Sequence, residues 1–161
     1  MSQGIRKIGV IGAGQMGNGI AHVCALAGFP VLINDVSPDR IKDALATING
    51  NMARQVGKKL ITEAQRKDAL AKIGGAEKLS DAILATNTSS ISITRLAATT
   101  DRPERFIGIH FMNPVPLMEL VELIRGIATG DQTFEASKAF VTKLHKTIAV
   151  SEDFPAFIVN R

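Results

Sequence analysis

The 161-residue sequence contains no tryptophan, no tyrosine and a single cysteine, Cys24. One cysteine excludes an internal disulfide and a thiolate metal cluster, which predicts a reducing, cytoplasmic location. Aromatic residues make up only 4% of the chain, so a surface that stacks nucleic-acid bases is not expected. Lysine and arginine give a net charge of +4 but form no basic block longer than residues 57–59. We therefore expect no nucleic-acid partner.

Long apolar runs are also missing. None reaches the ~18 residues that a membrane span needs, and the amino terminus, MSQGIRKIGV, does not have the pattern of a secretory signal. The chain is 45% hydrophobic and 21% charged, without a low-complexity tract. This composition predicts a soluble globular protein of about one domain, with no membrane partner and no bound metal.

Three glycines follow the first apolar run of the chain. Residues 7–11, KIGVI, predict a buried parallel strand. Gly12, Gly14 and Gly17 then form a G-x-G-x-x-G that opens a predicted helix, and Asp35 ends a second strand 18 residues after Gly17. In this context the glycines permit a tight turn, the approach of a pyrophosphate and close helix–strand packing.

The glycine motif predicts a dinucleotide site. The amino terminus of the helix attracts phosphate, and the loop residues Gln15 and Met16 complete the predicted cofactor-binding set. Asp35 would accept hydrogen bonds from an adenosine ribose and repel a 2′-phosphate, which favours NAD over NADP. A glycine turn without a ligand is the alternative interpretation.

Predicted strands and helices alternate along the rest of the chain. Helices are predicted over residues 37–56, 62–73, 91–100 and 134–147. Strands are predicted over residues 82–88, 105–112, 117–124 and 148–153. Thr62 and Gln65 suit a capping box, and the glycine pair 74–75 suits a helix end. The alternation predicts a doubly wound α/β fold with a mostly parallel sheet.

One of the three histidines is a candidate catalytic group. His22 and His145 lie in predicted helices without a neighbouring partner, and we interpret both as structural. His110 lies near the carboxyl end of a predicted strand, the edge where open α/β sheets bind ligands. Glu122 follows a turn with two prolines, and a chain that doubles back there would bring its carboxylate to the imidazole. Such a pair suits a general base, although a buried core histidine fits the spacing equally well.

Four segments, taken in order, resemble the NAD-binding domain of the 3-hydroxyacyl-CoA dehydrogenase family, which includes bacterial 3-hydroxybutyryl-CoA dehydrogenases. They are GAGQMG at 12–17, ATNTSSISITRLA at 85–97, IHFMNPVPLMELVE at 109–122 and FIVNR at 157–161. The resemblance covers almost the whole chain. It implies a Rossmann-like fold, NAD as cofactor, and oxidation of a 3-hydroxyacyl-CoA to a 3-oxoacyl-CoA.

The resemblance also implies roles for single residues. His110 matches the catalytic base of the family and Glu122 matches its paired carboxylate. Ser89 and Asn160 match residues that contact the substrate oxygen. Lys59 is the best match, and Lys58 the next, to a lysine that contacts coenzyme A. Taken alone, NTSS would suit an ordinary strand-end cap and Asn160 an ordinary polar position; the four motifs together favour the functional interpretation.

The chain departs from the family pattern between the helical hairpin and the strand at 82–88. The family carries a further strand, ending in a V-x-E-A-like sequence, and a helix there, whereas about ten residues connect the two sides here. A doubly wound sheet in the usual order needs that strand beside the first one. We therefore expect a sheet that lacks one central strand, with an exposed edge. The strand at 82–88 pairing with the first strand is the alternative. A real deletion, a stretch omitted from the sequence and a faulty gene model all remain open as explanations.

The family also continues beyond FIVNR into a helical domain that supplies much of the acyl pocket and the dimer interface. We expect residues 1–153 to form the NAD-binding domain and residues 154–161 to begin a linker. Apolar surface is then expected near Phe154, Phe157, Ile158 and Val159, and the full protein is expected to be a homodimer.

Three functions remain open from the sequence. The first is an NAD-dependent 3-hydroxyacyl-CoA dehydrogenase, or its cofactor domain. The second is a non-catalytic nucleotide-binding module or decayed paralogue. The third is a dehydrogenase of β-hydroxy acids without coenzyme A, which the HFMNPVP and NTSS segments disfavour.

Overall fold

The computed structural model describes residues 4–74 and 82–154. These residues belong to two compact units, each with its own β-sheet. The first unit contains Arg6–Leu79 and Asn113–Leu117, and the second contains the rest of the chain.

The first unit has a three-stranded parallel sheet. Its strands, in the order in which they pair, are β1 (Ile8–Ile11), β2 (Val31–Asn34) and β3 (Ile73–Gly74). Its helices are α1 (Gln15–Leu26), α2 (Pro38–Gly57) and α3 (Glu63–Ala71). Parallel neighbours cannot be joined by a tight hairpin, so the helices serve as the crossovers between the short apolar strands.

Apolar side chains from the helices form the core of the first unit. Cys24 of α1 and Ile48 and Met52 of α2 are all 0% exposed. Burial raises the pKa of the Cys24 thiol to about 12, which keeps the thiol protonated and unreactive at neutral pH. Ala44 of α2 is buried as well, whereas Leu45 is exposed.

Helix α3 begins as predicted and ends earlier than predicted. The Thr62 hydroxyl accepts a hydrogen bond from the Gln65 N–H (3.1 Å), and the Gln65 side chain accepts one from the Thr62 N–H (2.8 Å), which confirms the capping box. The predicted helix end at the glycine pair 74–75 is wrong, because α3 ends at Ala71 and Ile73–Gly74 pair with β2. Strand pairing has overridden the local helical pattern here. The second glycine of the pair lies outside the described residues.

The second unit has a four-stranded mixed sheet. Its strands, in pairing order, are β4 (Leu84–Thr86), β5 (Phe106–Phe111), β6 (Leu120–Arg125) and β7 (Thr147–Glu152). Its α-helices in the described part of the chain are α4 (Ile93–Ala97) and α5 (Asp131–Lys143). Strand β5 is parallel to β4 and antiparallel to β6, and β6 is parallel to β7.

Strand β5 is buried along its whole length. It lies between β4 and β6 in the sheet, and both helices of the unit pack against it. Ile93 and Ala97 of α4 form an apolar cluster with Phe106 of β5 and Ile124 of β6. His110, the fifth residue of β5, is therefore held in a rigid, well-packed strand.

The described strands form one sheet within each unit. Strand β4 pairs with β5. It lies in a different unit from β1, so the alternative in which residues 82–88 pair with the first strand stays a hypothesis. Only nine residues separate β3 from β4, fewer than the dozen or more that a helical crossover needs. The order of elements confirms the predicted Rossmann-like α/β class, and the described residues contain no further strand between β3 and β4.

Apolar side chains are exposed at one of the expected positions, Phe154, and at the end of β1. Ile11, at the end of β1, is 82% exposed, and Phe154 is 58% exposed. Phe157, Ile158 and Val159 lie outside the described residues, so the proposed boundary between residues 153 and 154 stays a prediction. Across residues 4–74 and 82–154, no helix has both the length and the apolar character that crossing a membrane requires.

Candidate active site

The turn between β1 and α1 requires glycine at two positions. Gly12 has a φ of +95°, a left-handed conformation that favours glycine, and its N–H donates to the Asn34 carbonyl at 2.8 Å. A Cβ at Gly17 would lie 1.8 Å from the Gly12 carbonyl oxygen. Helix α1 can therefore approach the turn only with glycine at position 17, as the motif predicts.

The first turn of α1 offers backbone N–H groups to an anion. The first hydrogen bond within the helix runs from the Asn18 N–H to the Gly14 carbonyl (2.9 Å), so the N–H groups of Gln15, Met16 and Gly17 have no acceptor within the helix. A Cβ at Gly14 would meet no atom within 4 Å, which leaves open space beside the turn. Unpaired N–H groups and the helix dipole together suit a phosphate.

Asp35 follows β2 and holds the glycine turn. Its Oδ2 accepts a hydrogen bond from the Ala13 N–H (2.8 Å), and its Oδ1 accepts one from the Ser37 N–H (3.2 Å). These bonds, chiefly that from Ala13, hold the pKa of the Asp35 carboxyl below its usual value. A carboxylate has about four acceptor positions, so Asp35 keeps capacity for ribose hydroxyls. The turn and Asp35 therefore fit the pyrophosphate and adenosine ribose of NAD.

His110 and Glu122 form a buried pair in the second unit. They lie directly opposite each other in the antiparallel ladder of β5 and β6, and opposite residues project from the same face of a sheet. The His110 Nδ1 is 2.7 Å from the Glu122 Oε2. Glu122 is 0% exposed and His110 is 7% exposed. The structure therefore brings together the two residues that the sequence analysis pairs.

The hydrogen bond to Glu122 determines which ring nitrogen of His110 can accept a proton. A proton on Nδ1 donates to the carboxylate, so the acceptor lone pair of the neutral imidazole is on Nε2. If Nε2 takes a proton, the positive charge forms beside a buried carboxylate, which stabilises it. A buried carboxylate without such a partner raises the free energy of the folded protein. The fold therefore favours the arrangement in which Glu122 stays bonded to His110.

Ser89 and an unpredicted residue, Asn87, follow β4 at the carboxyl edge of the same sheet. The Asn87 Oδ1 accepts a hydrogen bond from the Phe111 N–H at 2.7 Å. Backbone pairing between β4 and β5 ends at Thr86 and Gly108. The hydrogen bond from Phe111 to the Asn87 side chain joins the two segments beyond that point, at the residue after His110. Ser89 is exposed in the bend that follows.

Asp153 is a second residue that sequence reasoning missed. Its Oδ1 accepts from the Ile93 N–H (2.9 Å), and its Oδ2 accepts from the Thr94 N–H (2.8 Å) and the Ser92 hydroxyl (2.6 Å). Burial raises the pKa of Asp153, but these hydrogen bonds outweigh it and the net shift is downward. The carboxylate thus caps α4 and fixes the end of the segment that carries Ser89. No local signal predicts a contact between residues 61 positions apart.

The other predicted residues lie apart from the pair or outside the described residues. Lys59 follows α2 in the first unit, is exposed and has a φ of 57°. Asn160 lies outside the described residues. His22 is buried, with its Nε2 3.0 Å from the Gln55 side chain, and His145 is exposed after α5. Both positions agree with the structural interpretation of these two histidines.

Comparisons with known proteins agree with this geometry. The sequence profile of the family described as 3-hydroxyacyl-CoA dehydrogenase, NAD binding domain, matches residues 7–82 and 77–154. A 3-hydroxybutyryl-CoA dehydrogenase of Bradyrhizobium diazoefficiens is 63% identical, over 100% of this chain and 66% of its own length. A probable 3-hydroxybutyryl-CoA dehydrogenase of Bacillus subtilis is 39% identical, over 98% of this chain and 66% of its own length.

A solved structure shares the fold. The crystal structure of (S)-3-hydroxybutyryl-CoA dehydrogenase from Ralstonia eutropha superposes with a TM-score of 0.93 at 40% identity, and the match covers 98% of this chain and 67% of that one. The chain spans about two thirds of the length of the relatives that it matches.

The alignments also locate the missing segment. The alignment with the Bradyrhizobium protein runs over 193 positions, while this chain has 161 residues, so about 32 positions are occupied only in the relative. The family profile matches in two pieces that meet at residues 77–82, between β3 and β4. This is the place where the sequence analysis expects a strand and a helix to be absent. On these matches, the chain belongs to the 3-hydroxyacyl-CoA dehydrogenase family, whose cofactor in this domain is NAD.

Proposed function

We propose that the protein acts in the NAD-dependent oxidation of a 3-hydroxyacyl-CoA, such as 3-hydroxybutyryl-CoA, to the 3-oxoacyl-CoA. The observation that carries this proposal is the buried pair of His110 and Glu122, with 2.7 Å between Nδ1 and Oε2. The substrate class follows from the names of the relatives, which are 3-hydroxybutyryl-CoA dehydrogenases.

His110 is the general base in this proposal. Its Nε2 takes the proton of the 3-hydroxyl group as the hydroxyl carbon becomes a carbonyl. Glu122 holds the ring through Nδ1 and stabilises the imidazolium that results. A positioned general base of this kind contributes about 10²- to 10⁴-fold to the rate. Bound NAD supplies the acceptor for the hydride that leaves C3.

The remaining assigned residues bind and orient the substrate. The Ser89 hydroxyl donates to the substrate oxygen as it gains carbonyl character, and Asn160 is assigned to the same oxygen by resemblance. Lys59 is assigned to the coenzyme A moiety, and its exposed ammonium group suits a phosphate. We also propose a homodimer if the helical domain of the family is present, and a cytoplasmic location, which the single cysteine supports.

A second candidate function is nucleotide binding without hydride transfer. It is favoured by the about 32 alignment positions that the chain lacks. In this case the glycine turn and Asp35 bind NAD, while the histidine pair has no substrate to act on.

Two measurements on the same sample separate these functions. NADH binding is followed by fluorescence titration, and turnover is followed by NADH consumption with acetoacetyl-CoA. We expect saturable binding, and turnover that falls about 10²- to 10⁴-fold in His110→Ala while NADH affinity is retained. His145→Ala is the matched control, because His145 is exposed and lies after α5.

Each outcome decides between the candidates. Undiminished turnover in His110→Ala would show that another group is the base. Saturable NADH binding without turnover in the unmodified protein would favour the non-catalytic module. Absence of NADH binding would overturn both.

A further inference from the structure

Residues 87–91, which we call the Ser89 bend, are held at both ends. At the start of the bend, the Asn87 Oδ1 accepts a hydrogen bond from the Phe111 N–H (2.7 Å), which joins the bend to the end of β5. Just after the bend, the Asp153 carboxylate accepts a hydrogen bond from the Ser92 hydroxyl (2.6 Å) and two more from N–H groups of α4. Ser89 therefore lies between two fixed points of the second unit.

Thr88 holds the Ser89 bend from the inside. Its hydroxyl oxygen accepts a hydrogen bond from the Ile91 N–H (3.1 Å) and a longer one from the Ser90 N–H (3.4 Å). The shorter bond closes a turn that contains Ser89 and Ser90, of the kind that threonine and serine side chains form with nearby backbone. The β-branched side chain of Thr88 is also stiff about χ1. The direction in which Ser89 points therefore depends on the hydroxyl group of its neighbour.

The Thr88 hydroxyl does not serve as a cap of α4. The helix begins at Ile93, and its N-cap Ser92 accepts a hydrogen bond from the Arg95 N–H (3.2 Å). The Asp153 carboxylate accepts two further N–H groups of the first turn. Helix α4 thus has its own acceptors. The hydrogen bonds that Thr88 accepts come from residues before the helix, so they shape the bend.

The Ser89 bend lies at the edge where open α/β sheets bind ligands. Strands β4 and β5 are parallel, so their carboxyl ends meet at the same edge of the sheet. Ser89 is the third residue after β4, and His110 is the fifth residue of β5. A hydroxyl group that stabilises a reacting oxygen must be aimed at it. A displacement of about 1 Å can lower the rate about 10²-fold.

We propose that Thr88 is a positioning residue that orients the Ser89 hydroxyl toward the substrate oxygen. It acts through the shape of the Ser89 bend, whose two ends are fixed by Asn87 and Asp153, and it makes no contact with the substrate. The inference rests on the proposed function, because it assigns Thr88 to the same reaction. It has a consequence of its own, which is that replacing Thr88 lowers turnover only while residue 89 carries its hydroxyl.

The experiment is a double-mutant cycle on the turnover of acetoacetyl-CoA with NADH. Thr88→Val keeps the shape of the side chain and removes the hydroxyl, whereas Thr88→Ser keeps the hydroxyl. We expect kcat to fall about tenfold in Thr88→Val, with KM and NADH affinity unchanged, and to recover in Thr88→Ser. Ser89→Ala is expected to lower kcat about 10²- to 10³-fold. In that background, Thr88→Val is expected to cause no further loss.

Hydrogen exchange and a matched control test the structural step. The Ile91 amide is expected to exchange faster in Thr88→Val than in the unmodified protein, and slowly again in Thr88→Ser. Thr99→Val is the control, because the Thr99 hydroxyl also bonds the backbone, donating to the Leu96 carbonyl (2.8 Å), but lies after α4. This control is expected to keep full turnover and slow exchange at Ile91.

Three results would overturn the proposal. The first is an unchanged kcat in Thr88→Val or in Ser89→Ala. The second is a loss in Thr88→Val that recurs undiminished in the Ser89→Ala background, because Thr88 would then act independently of Ser89. The third is unchanged exchange at the Ile91 amide in Thr88→Val. Absence of turnover in the unmodified protein is a different outcome, which overturns the proposed function and the role of Thr88 with it.

Discussion

The Nδ1 of His110 lies 2.7 Å from the Oε2 of Glu122 across two antiparallel strands, and Glu122 has no exposed surface. The two residues are twelve positions apart in the chain but directly opposite in the β5–β6 ladder. Their geometry is therefore set by backbone register rather than by flexible side-chain reach. Such placement suits a catalytic group, because rigid strands hold reacting atoms more accurately than loops do.

Replacing Glu122 by glutamine tests whether the charge of the pair matters. Glu122→Gln keeps the size of the side chain and an oxygen that can accept from Nδ1, but it removes the charge that stabilises the imidazolium. We expect turnover with acetoacetyl-CoA to fall about 10²-fold, with unchanged NADH affinity. Glu119→Gln is the control, since Glu119 is exposed just before β6. Equal turnover in the two variants would show that Glu122 acts only as a hydrogen-bond acceptor.

Replacing Asn87 tests whether its side chain is the acceptor that satisfies the backbone N–H group at the end of β5. Asn87→Ala removes the acceptor of the Phe111 N–H, and an unsatisfied buried donor costs about 1–3 kcal/mol. We expect a loss of that size in the free energy of unfolding, measured with urea, and faster hydrogen exchange at the Phe111 amide. Asn87→Asp retains an acceptor oxygen and should restore slow exchange. Slow exchange at Phe111 in the alanine variant would mean that another acceptor replaces Asn87.

The sequence predicted the parts of the molecule that depend on local pattern. The glycine turn has a sequence motif because Gly12 needs a positive φ and Gly17 cannot carry a Cβ. The capping box of α3 is equally local. The pairing of His110 with Glu122 was predictable because a short connection joins two neighbouring strands.

Long-range contacts were not predictable. The bond from Phe111 to Asn87 and the cap that Asp153 provides for α4 join segments 24 and 61 positions apart, and neither position is distinctive in the sequence. The local pattern predicts a helix end at the residues of β3, because these two residues pair with β2 only in the folded sheet. The missing central strand was predictable from the resemblance alone, because spacing within the chain does not reveal what is absent.

Asp35 tests the choice between NAD and NADP. Asp35→Asn removes the negative charge beside the ribose site but retains an oxygen that can accept from the Ala13 N–H. We expect weaker NADH binding and a preference for NADH over NADPH that narrows about tenfold. Fluorescence titration with both nucleotides measures the preference, and Asp39→Asn controls for net charge at an exposed position of α2. An unchanged preference in Asp35→Asn would assign the discrimination to other residues.

Asp153 makes the stability of the second unit depend on pH. Its carboxylate accepts three hydrogen bonds from the first turn of α4, and loss of a helix cap costs about 1 kcal/mol. Because the pKa of Asp153 is lower in the folded protein, this stabilisation is complete above the ordinary value of 3.8 and is lost as the pH falls through the lowered value. We expect Asp153→Asn to reduce the free energy of unfolding at pH 7 and to flatten its fall between about pH 5 and 3. Urea unfolding at several pH values measures both effects, with Asp43→Asn on α2 as the control for net charge. A variant that loses stability on acidification as steeply as the unmodified protein would show that other carboxylates carry the acid sensitivity.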